Sequence, residues 1–268
     1  YKRQVVHGPK GPVNGVVGRK PSHKMTKEER AKAPELHEQW LDIGCSSREE
    51  ALTLVRIGDP ITFPPHFLDL AGGRYASPAF DNRAGVYVCL RALEHYRDAR
   101  AAADLTALLT VHEETTFMGA KALARRLRPD VILVVDGDFC SDTPAASAKE
   151  LGGEVRLGAG PVVSRGAGGH ERLAVWAQEA AAAEGLPVQV KASGGETETD
   201  ADELMAAGTA ATLTIGLPLR YMHSPSEVAD LADLDAAACL VAALACRIGE
   251  AGGLVDPAGP NETGGRGA

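Results

Sequence analysis

Two adjacent carboxylates, Glu113 and Glu114, are the residues of this 268-residue chain best suited to catalysis. They follow His112 at the end of an apolar run, residues 105–111, and a Gly-Ala turn comes shortly after them. One carboxylate of such a pair can hold a metal ion while its neighbour moves protons. The helical zinc motif His-Glu-x-x-His is excluded, because Thr116 stands where its second histidine would be.

A third acid, Asp136, closes the next apolar run, residues 131–135, and follows Glu114 by 22 residues. That distance suits one strand–helix–strand unit, with Leu123 and Leu127 of the helix facing a sheet. Ligands of open α/β sheets bind at the carboxyl ends of the strands, so both acids are predicted to lie at a site. The alternative is that Asp136 only terminates a strand at the surface.

Two further segments each supply one residue of ligand type. Asp81 lies in a Phe-Asp-Asn-Arg-Ala-Gly segment before a predicted amphipathic helix, so it could bind a metal or cap that helix. His223 lies on a loop before Pro225, where a lone histidine is often only solvated. Carboxylates and imidazole together suit Zn²⁺, Co²⁺ or Mn²⁺, and a pair of such ions can polarise a carbonyl. The chemistry indicated is hydrolysis of an amide.

From about residue 66, predicted strands alternate with helices, which favours an α/β fold with a largely parallel central sheet covered on both faces, a three-layer sandwich. The predicted strands are residues 105–111, 131–135, 188–190 and 209–215, and a last helix is predicted over 233–250. Residues 1–65 are rich in Gly, Pro and short β-type runs. Residues 253–268 are predicted to be a disordered tail.

The composition, 44% hydrophobic and 24% charged, is that of a globular enzyme. There are 28 basic and 36 acidic residues, giving a net charge of −8, which argues against binding nucleic acid or an anionic membrane. No apolar run approaches the length that spans a bilayer. The five cysteines are dispersed and odd in number, which indicates reduced thiols and favours a cytoplasmic location.

Several sequence blocks resemble those of the tetrahedral, dinuclear metallo-aminopeptidases, and the resemblance runs from about Gly11 to about Ile248. The blocks, all in the family's order, are GVVGRKPSH, LDIG, IGD, FDNRAG, HEETTFMGA, VVDGDFCSDTP, GAGP and LRYMHSPSEV. Residues 193–201 also resemble the family's Gly-Gly-Thr-Asp-Ala block. Within this block Asp200 either positions substrate or caps the helix that begins at Ala201.

The resemblance implies that Asp81 bridges two divalent metal ions, zinc or cobalt, and that Glu114, Asp136 and His223 are terminal ligands. Glu113 would be the general base, taking a proton from metal-bound water and delivering it to the leaving amine. The peptide bond after Asp81 is typically cis in this family. The implied activity is removal of N-terminal residues from short peptides.

The resemblance also implies a domain organisation and an assembly. Residues 1–65 would be part of an inserted β-barrel domain that mediates dimers, and residues 66–252 would be the catalytic domain. Six dimers would form a tetrahedral dodecamer, a homo-oligomer whose inward-facing sites admit only peptides. The family's upstream His-x-Asp segment, which supplies a fifth ligand, is not in this sequence. Because the sequence opens on Tyr1, we expect a further N-terminal segment outside it.

Two alternatives stand beside the aminopeptidase hypothesis. A related dimetal amidohydrolase, such as a deacylase or carboxypeptidase, would keep the fold and the metals but cleave another amide. A non-catalytic assembly subunit would lack a complete metal site, as the missing fifth ligand allows.

Overall fold

The computed structural model describes residues 2–99, 101–144, 146–208 and 210–254, and the chain divides into two compact units after Phe67. The first unit contains strands β1 (Arg3–Gly8), β2 (Gly11–Gly18), β3 (Trp40–Asp42) and β4 (Ile61–Thr62), with helices α1 (Lys27–Ala31) and α2 (Arg48–Leu54). Its strands form one antiparallel sheet in the order β3-β2-β1-β4. Among the described residues no sheet closes into a barrel, so the predicted part of a β-barrel is not confirmed.

The second unit, which begins at Leu68, carries all of the candidate site residues. Its elements in chain order are β5 (Leu68–Leu70), β6 (Arg74–Ser77), α3 (Phe80–Ala99), α4 (Glu113–Thr116), α5 (Met118–Ala124), β7 (Val131–Phe139), β8 (Val162–Gly166), α6 (Glu171–Glu184), β9 (Gln189–Ser193), α7 (Asp200–Ala206), β10 (Ala211–Leu219), β11 (Glu227–Asp230) and α8 (Leu231–Glu250).

The main sheet has the strand order β7-β10-β8-β9. The β7–β10 and β8–β9 pairs are parallel, whereas β10 and β8 are antiparallel. The prediction of an α/β fold with a largely parallel sheet is therefore confirmed. A second, antiparallel sheet has the order β11-β6-β5, and its strand β6 is followed in the chain by α3.

Helices pack on both faces of the main sheet, because alternate side chains of a strand point to opposite faces. On one face, Leu133 and Val135 of β7 join a core formed mainly by α3, α6 and α8. On the other face, Ile132 and Val134 pack against α5 and α7. Strand β10 is buried along almost its whole length, as expected of a strand covered on both sides.

The last helix begins earlier than predicted because of its cap. The carboxylate of Asp230 accepts a hydrogen bond from the backbone N–H of Ala232 at 3.1 Å, so α8 starts at Leu231. Many of its buried residues are alanines, and Val88 and Ala92 of α3 are also fully or almost fully buried. Small side chains on both helices allow the backbones to approach closely.

The predicted strand at residues 105–111 is wrong. Within the described part of the chain these residues join no ladder, and Leu109 and Val111 are 50% and 62% exposed. A strand needs a neighbour that pairs with its backbone, and an apolar run does not supply one. The other strands are shifted or longer than predicted, and β7 continues past Asp136 to Phe139.

Helix α5 faces the sheet with Ala120 and Ala124, whereas Leu127, which was predicted to lie on this helix, follows its end. The predicted tail falls outside the described residues, apart from its first two positions. All five cysteines are described, and none of them forms a disulfide. Among the helices that the structure describes, none is both long and apolar enough to cross a membrane.

Candidate active site

The site begins at the first turn of α3, where Asp81 and Asn82 have non-helical backbone angles. The peptide bond between them is cis, as the family resemblance implied. The side chain of Asn82 accepts a hydrogen bond from the backbone N–H of Gly85 at 2.9 Å. Asn82 thus makes the capping interaction for which Asp81 was the candidate, and the capping role suggested for Asp81 is wrong.

Asn82 also fixes the position of Asp136 in β7. Its Nδ2 donates to the carbonyl oxygen of Val135 at 2.9 Å and to Oδ1 of Asp136 at 2.7 Å. The backbone N–H of Gly137 donates to the same carboxylate oxygen at 2.8 Å. Asp136 is only 6% exposed and lies within the strand, so it does not terminate the strand at the surface.

Glu113 and Glu114 lie on the single turn of helix that forms α4. This turn is bounded by His112 and Phe117, which both have left-handed backbone angles, with φ of 61° and 54°. Such angles reverse the chain sharply on either side of the turn. Glu113 is partly buried, whereas the side chain of Glu114 is 50% exposed.

His223 lies on the loop between β10 and β11 and has a φ of 63°. Its ring packs against Phe139 at the end of β7, edge to face, with centroids 5.8 Å apart. Although the side chain is 62% exposed, its Nε2 lies 3.2 Å from Oδ2 of Asp81 and 4.0 Å from Oε2 of Glu114. The loop histidine is therefore directed at two carboxylates.

Three of the four predicted ligands form a compact cluster. Asp81, Glu114 and His223 each offer one ligand atom, and these atoms all lie within 4.8 Å of one another. Asp136 is not part of this cluster, but its side chain forms a hydrogen bond with that of Asp81. The cluster is drawn from α3, α4 and the β10–β11 loop, which come together only in the folded chain.

The electrostatics of the cluster favour a bound cation. Burial raises the pKa of Glu113 to about 7, and the charges of Glu114 and Asp200 add to the effect. Burial likewise raises the pKa of Asp136 to about 8, with the charge of Glu113 contributing next. The pKa values of Asp81 and Glu114 are also raised, first by burial and then by a neighbouring carboxylate. A divalent cation would offset this repulsion, and oxygen with imidazole nitrogen is a donor set that such ions accept.

Asp200 is not the cap of α7. The cap is Thr199, whose hydroxyl oxygen accepts a hydrogen bond from the backbone N–H of Ala201 at 3.1 Å. Asp200 is 6% exposed and accepts a hydrogen bond from the hydroxyl of Thr110 at 2.6 Å. Since its charge contributes to the raised pKa of Glu113, Asp200 belongs to the electrostatic surroundings of the site.

Glu227 is a residue of the site that the sequence did not single out. It is 3% exposed, and its carboxylate accepts hydrogen bonds from the backbone N–H groups of Asp81 at 2.9 Å and His223 at 3.2 Å. The signal available in the sequence was an acid four residues after the candidate histidine. Acids are common in loops, so that spacing alone could not identify it.

Residues 2–240 match the family described as M42 glutamyl aminopeptidase. The lysyl aminopeptidase of Pyrococcus furiosus is 33% identical over 233 residues, which cover 84% of this chain and 64% of that protein.

Two solved structures are similar over nearly the whole chain. The TET aminopeptidase from the marine sediment archaeon Thaumarchaeota archaeon SCGC AB-539-E09 has a TM-score of 0.82 and 30% identity, covering 92% of this chain and 70% of its own. The TET1 peptidase of Pyrococcus horikoshii has a TM-score of 0.78 and 31% identity, covering 91% of this chain and 71% of its own. This chain thus spans about two thirds of the length of these relatives. Because the family match covers most of the sequence, including all five predicted site residues, the chain belongs to the M42 glutamyl aminopeptidase family.

Proposed function

We propose that this protein is a metal-dependent aminopeptidase that removes N-terminal residues from short peptides. The observation that carries the proposal is the cluster of Asp81, Glu114 and His223. Burial raises the pKa of the Glu113 carboxyl, which lies close enough to this cluster for the charges of Glu114 and Asp81 to raise it further. The relatives support the choice of reaction, since those compared above are described as aminopeptidases or peptidases.

In this proposal Asp81, Glu114, Asp136 and His223 would hold two divalent cations, zinc or cobalt. Cations bound there would supply Lewis acidity, which polarises a carbonyl and lowers the pKa of water. Asp136 accepts hydrogen bonds from the side-chain amide of Asn82 and the backbone N–H of Gly137, and these bonds fix the orientation of its carboxylate before any ion binds. This prior ordering reduces the cost of assembling the site.

Glu113 is the general base in this proposal. Its carboxylate takes a proton from the water that attacks the scissile carbonyl and then delivers that proton to the leaving amine. Glu113 is partly buried beside Glu114 on the single turn of α4, so its carboxylate lies next to a proposed ligand without being one. Glu113 is absent from the compact ligand cluster, which is consistent with a separate role in proton transfer.

The test compares Glu113→Gln with the matched variant Glu114→Gln on the adjacent position. With metal-loaded protein and amino-acid p-nitroanilides, we expect Glu113→Gln to lower turnover by about 10²-fold or more, the usual contribution of a general base. Its metal content, measured by elemental analysis, should equal that of the unsubstituted protein, whereas Glu114→Gln should bind less metal. Unchanged turnover in Glu113→Gln would remove this residue as the base.

The same preparation separates the alternatives. An aminopeptidase should cleave a peptide with a free amino terminus and leave its N-acetylated form intact, whereas a deacylase would act on the acetylated form. A protein that binds no zinc or cobalt after incubation would instead be a non-catalytic subunit.

We also propose that the protein is a homo-oligomer that assembles from dimers through the predicted β domain, residues 1–65, which lies within the first unit. The Pyrococcus horikoshii relative can assemble into a tetrahedron or a large octahedral shell. The first unit carries exposed apolar side chains, among them Trp40 at 56% and Ile57 at 90% exposure. Sedimentation velocity should give a mass well above that of a monomer, and a monomer alone would contradict assembly.

A further inference from the structure

We propose that Glu227 is a positioning residue that fixes the backbones of two metal ligands, Asp81 and His223, relative to one another. The inference rests on the proposed function, because it treats those two residues as ligands. It assigns Glu227 no contact with the substrate, since its role is exerted through the backbone of its neighbours.

The geometry that carries the inference is the use of both carboxylate oxygens. Oε2 of Glu227 accepts from the backbone N–H of Asp81 at 2.9 Å, and Oε1 accepts from the backbone N–H of His223 at 3.2 Å. One side chain therefore joins the first turn of α3 to the β10–β11 loop. A hydrogen bond to the main chain fixes the direction in which the ligand side chain leaves it, which a contact with the side chain alone would not do.

The two backbone segments need such support. His223 and its near neighbour Tyr221 both have left-handed backbone angles, with φ of 63° and 59°, which non-glycine residues adopt only when the surrounding structure holds them there. The His223 side chain is 62% exposed, so little packing holds it besides the edge of Phe139. The N–H of Asp81 lies at the start of a helix, where it has no acceptor within the helix.

The burial of the Glu227 carboxylate supports its role in positioning the two ligands. Glu227 is 3% exposed, and burying a charge costs free energy unless hydrogen bonds compensate for it. Hydrogen bonds to an ionised carboxylate are stronger than those between neutral groups, so two of them offset part of that cost. A neutral amide at position 227 would present an NH₂ group to one of the two N–H donors and could accept only the other.

The first experiment measures zinc affinity by titration calorimetry for the unsubstituted protein, Glu227→Gln and a matched control, Asp233→Asn. Asp233 is also buried, at 1% exposure, and accepts two backbone N–H bonds at 2.7 Å each, but from Gly158 and Gly160 instead of ligands. We expect the dissociation constant to rise about 10-fold or more in Glu227→Gln, as for other groups that support metal ligands, and to stay within about twofold in Asp233→Asn. Equal affinities in Glu227→Gln and the unsubstituted protein, or equal losses in both variants, would overturn the inference.

The second experiment uses the metal-free unsubstituted protein, so it does not depend on a variant that folds. Amide hydrogen exchange should show the N–H groups of Asp81 and His223 protected, although the His223 side chain is largely exposed. Exchange of these two amides as fast as that of exposed loop amides would overturn the inference. Neither experiment measures peptide cleavage, so a protein that binds zinc through this arrangement but cleaves no peptide would refute only the proposed function.

Discussion

Replacing Asn82 by alanine is expected to destabilise the second unit more than its partly exposed position suggests. The substitution removes three hydrogen bonds: two donated to Val135 and Asp136, and one accepted from Gly85. A net contribution of about 1 kcal/mol for each of the three bonds, with Asp136 counted as neutral because its pKa is raised to about 8, gives a loss of roughly 3 kcal/mol in the free energy of unfolding at neutral pH. For a unit of this size the melting temperature should fall by about 2–4 °C per kcal/mol.

The assay is urea unfolding of the metal-free protein, followed by circular dichroism, with Asp98→Asn as the control on the same helix. The Asp98 side chain is 70% exposed and its ion pair lies at the surface, so the control should change stability by less than about 0.5 kcal/mol. The variant Gly85→Ala should also destabilise the protein without altering Asn82, because an added Cβ would lie 2.2 Å from the Asn82 side-chain oxygen and 2.9 Å from the backbone carbonyl oxygen of Val135. A loss below about 1 kcal/mol in Asn82→Ala would refute the assignment of these bonds as net stabilising.

Two further predictions concern other parts of the second unit. Gly137→Ala should lower zinc affinity measured by calorimetry, because an added Cβ would lie 3.3 Å from Oδ1 of the candidate ligand Asp81 and 2.5 Å from Sδ of Met222; unchanged affinity would show that these contacts do not constrain the site. Arg220→Met should destabilise the protein by about 1.5–3 kcal/mol at neutral pH, since Arg220 donates to both oxygens of Asp142 at 2.8 and 2.6 Å. Burial acts to raise the pKa of Asp142, but the hydrogen bonds and charge of Arg220 outweigh it, so the pKa lies below its ordinary value. The stability that this pair contributes is present above the ordinary pKa of about 4 and is lost as the pH falls through the lowered value; a stability difference between the two proteins that does not shrink at acid pH would contradict this.

The fold was predictable where local patterning and burial agree. The run that became β7 is apolar and continuous because both of its faces are covered, and α8 has an apolar stripe that marks its buried side. The prediction failed at residues 105–111, which are as apolar as a buried strand but join no ladder in the described structure. Hydrogen bonding between strands is a property of pairs of segments, so one segment cannot reveal it.

The sequence alone could also not decide whether the sheet of the first unit closes into part of a barrel. Short β-type runs with glycines among them indicate strands and turns, and the described part of the first unit contains four strands. Whether a sheet closes depends on the stagger and twist accumulated over all of its strands, which no single run encodes.

The identity of the candidate ligands came from the sequence, because the chemistry of a side chain is fixed by its type and the ordered blocks around Asp81, Glu114, Asp136 and His223 resemble one family. Only the tertiary structure decided what each of them is free to do. Asn82 takes over the capping interaction and leaves the Asp81 carboxylate facing His223, and Glu227 joins their two backbones. These outcomes depend on distances between segments far apart in the chain, and such distances are set by the packing of α3 and the β10–β11 loop around the sheet instead of by local sequence.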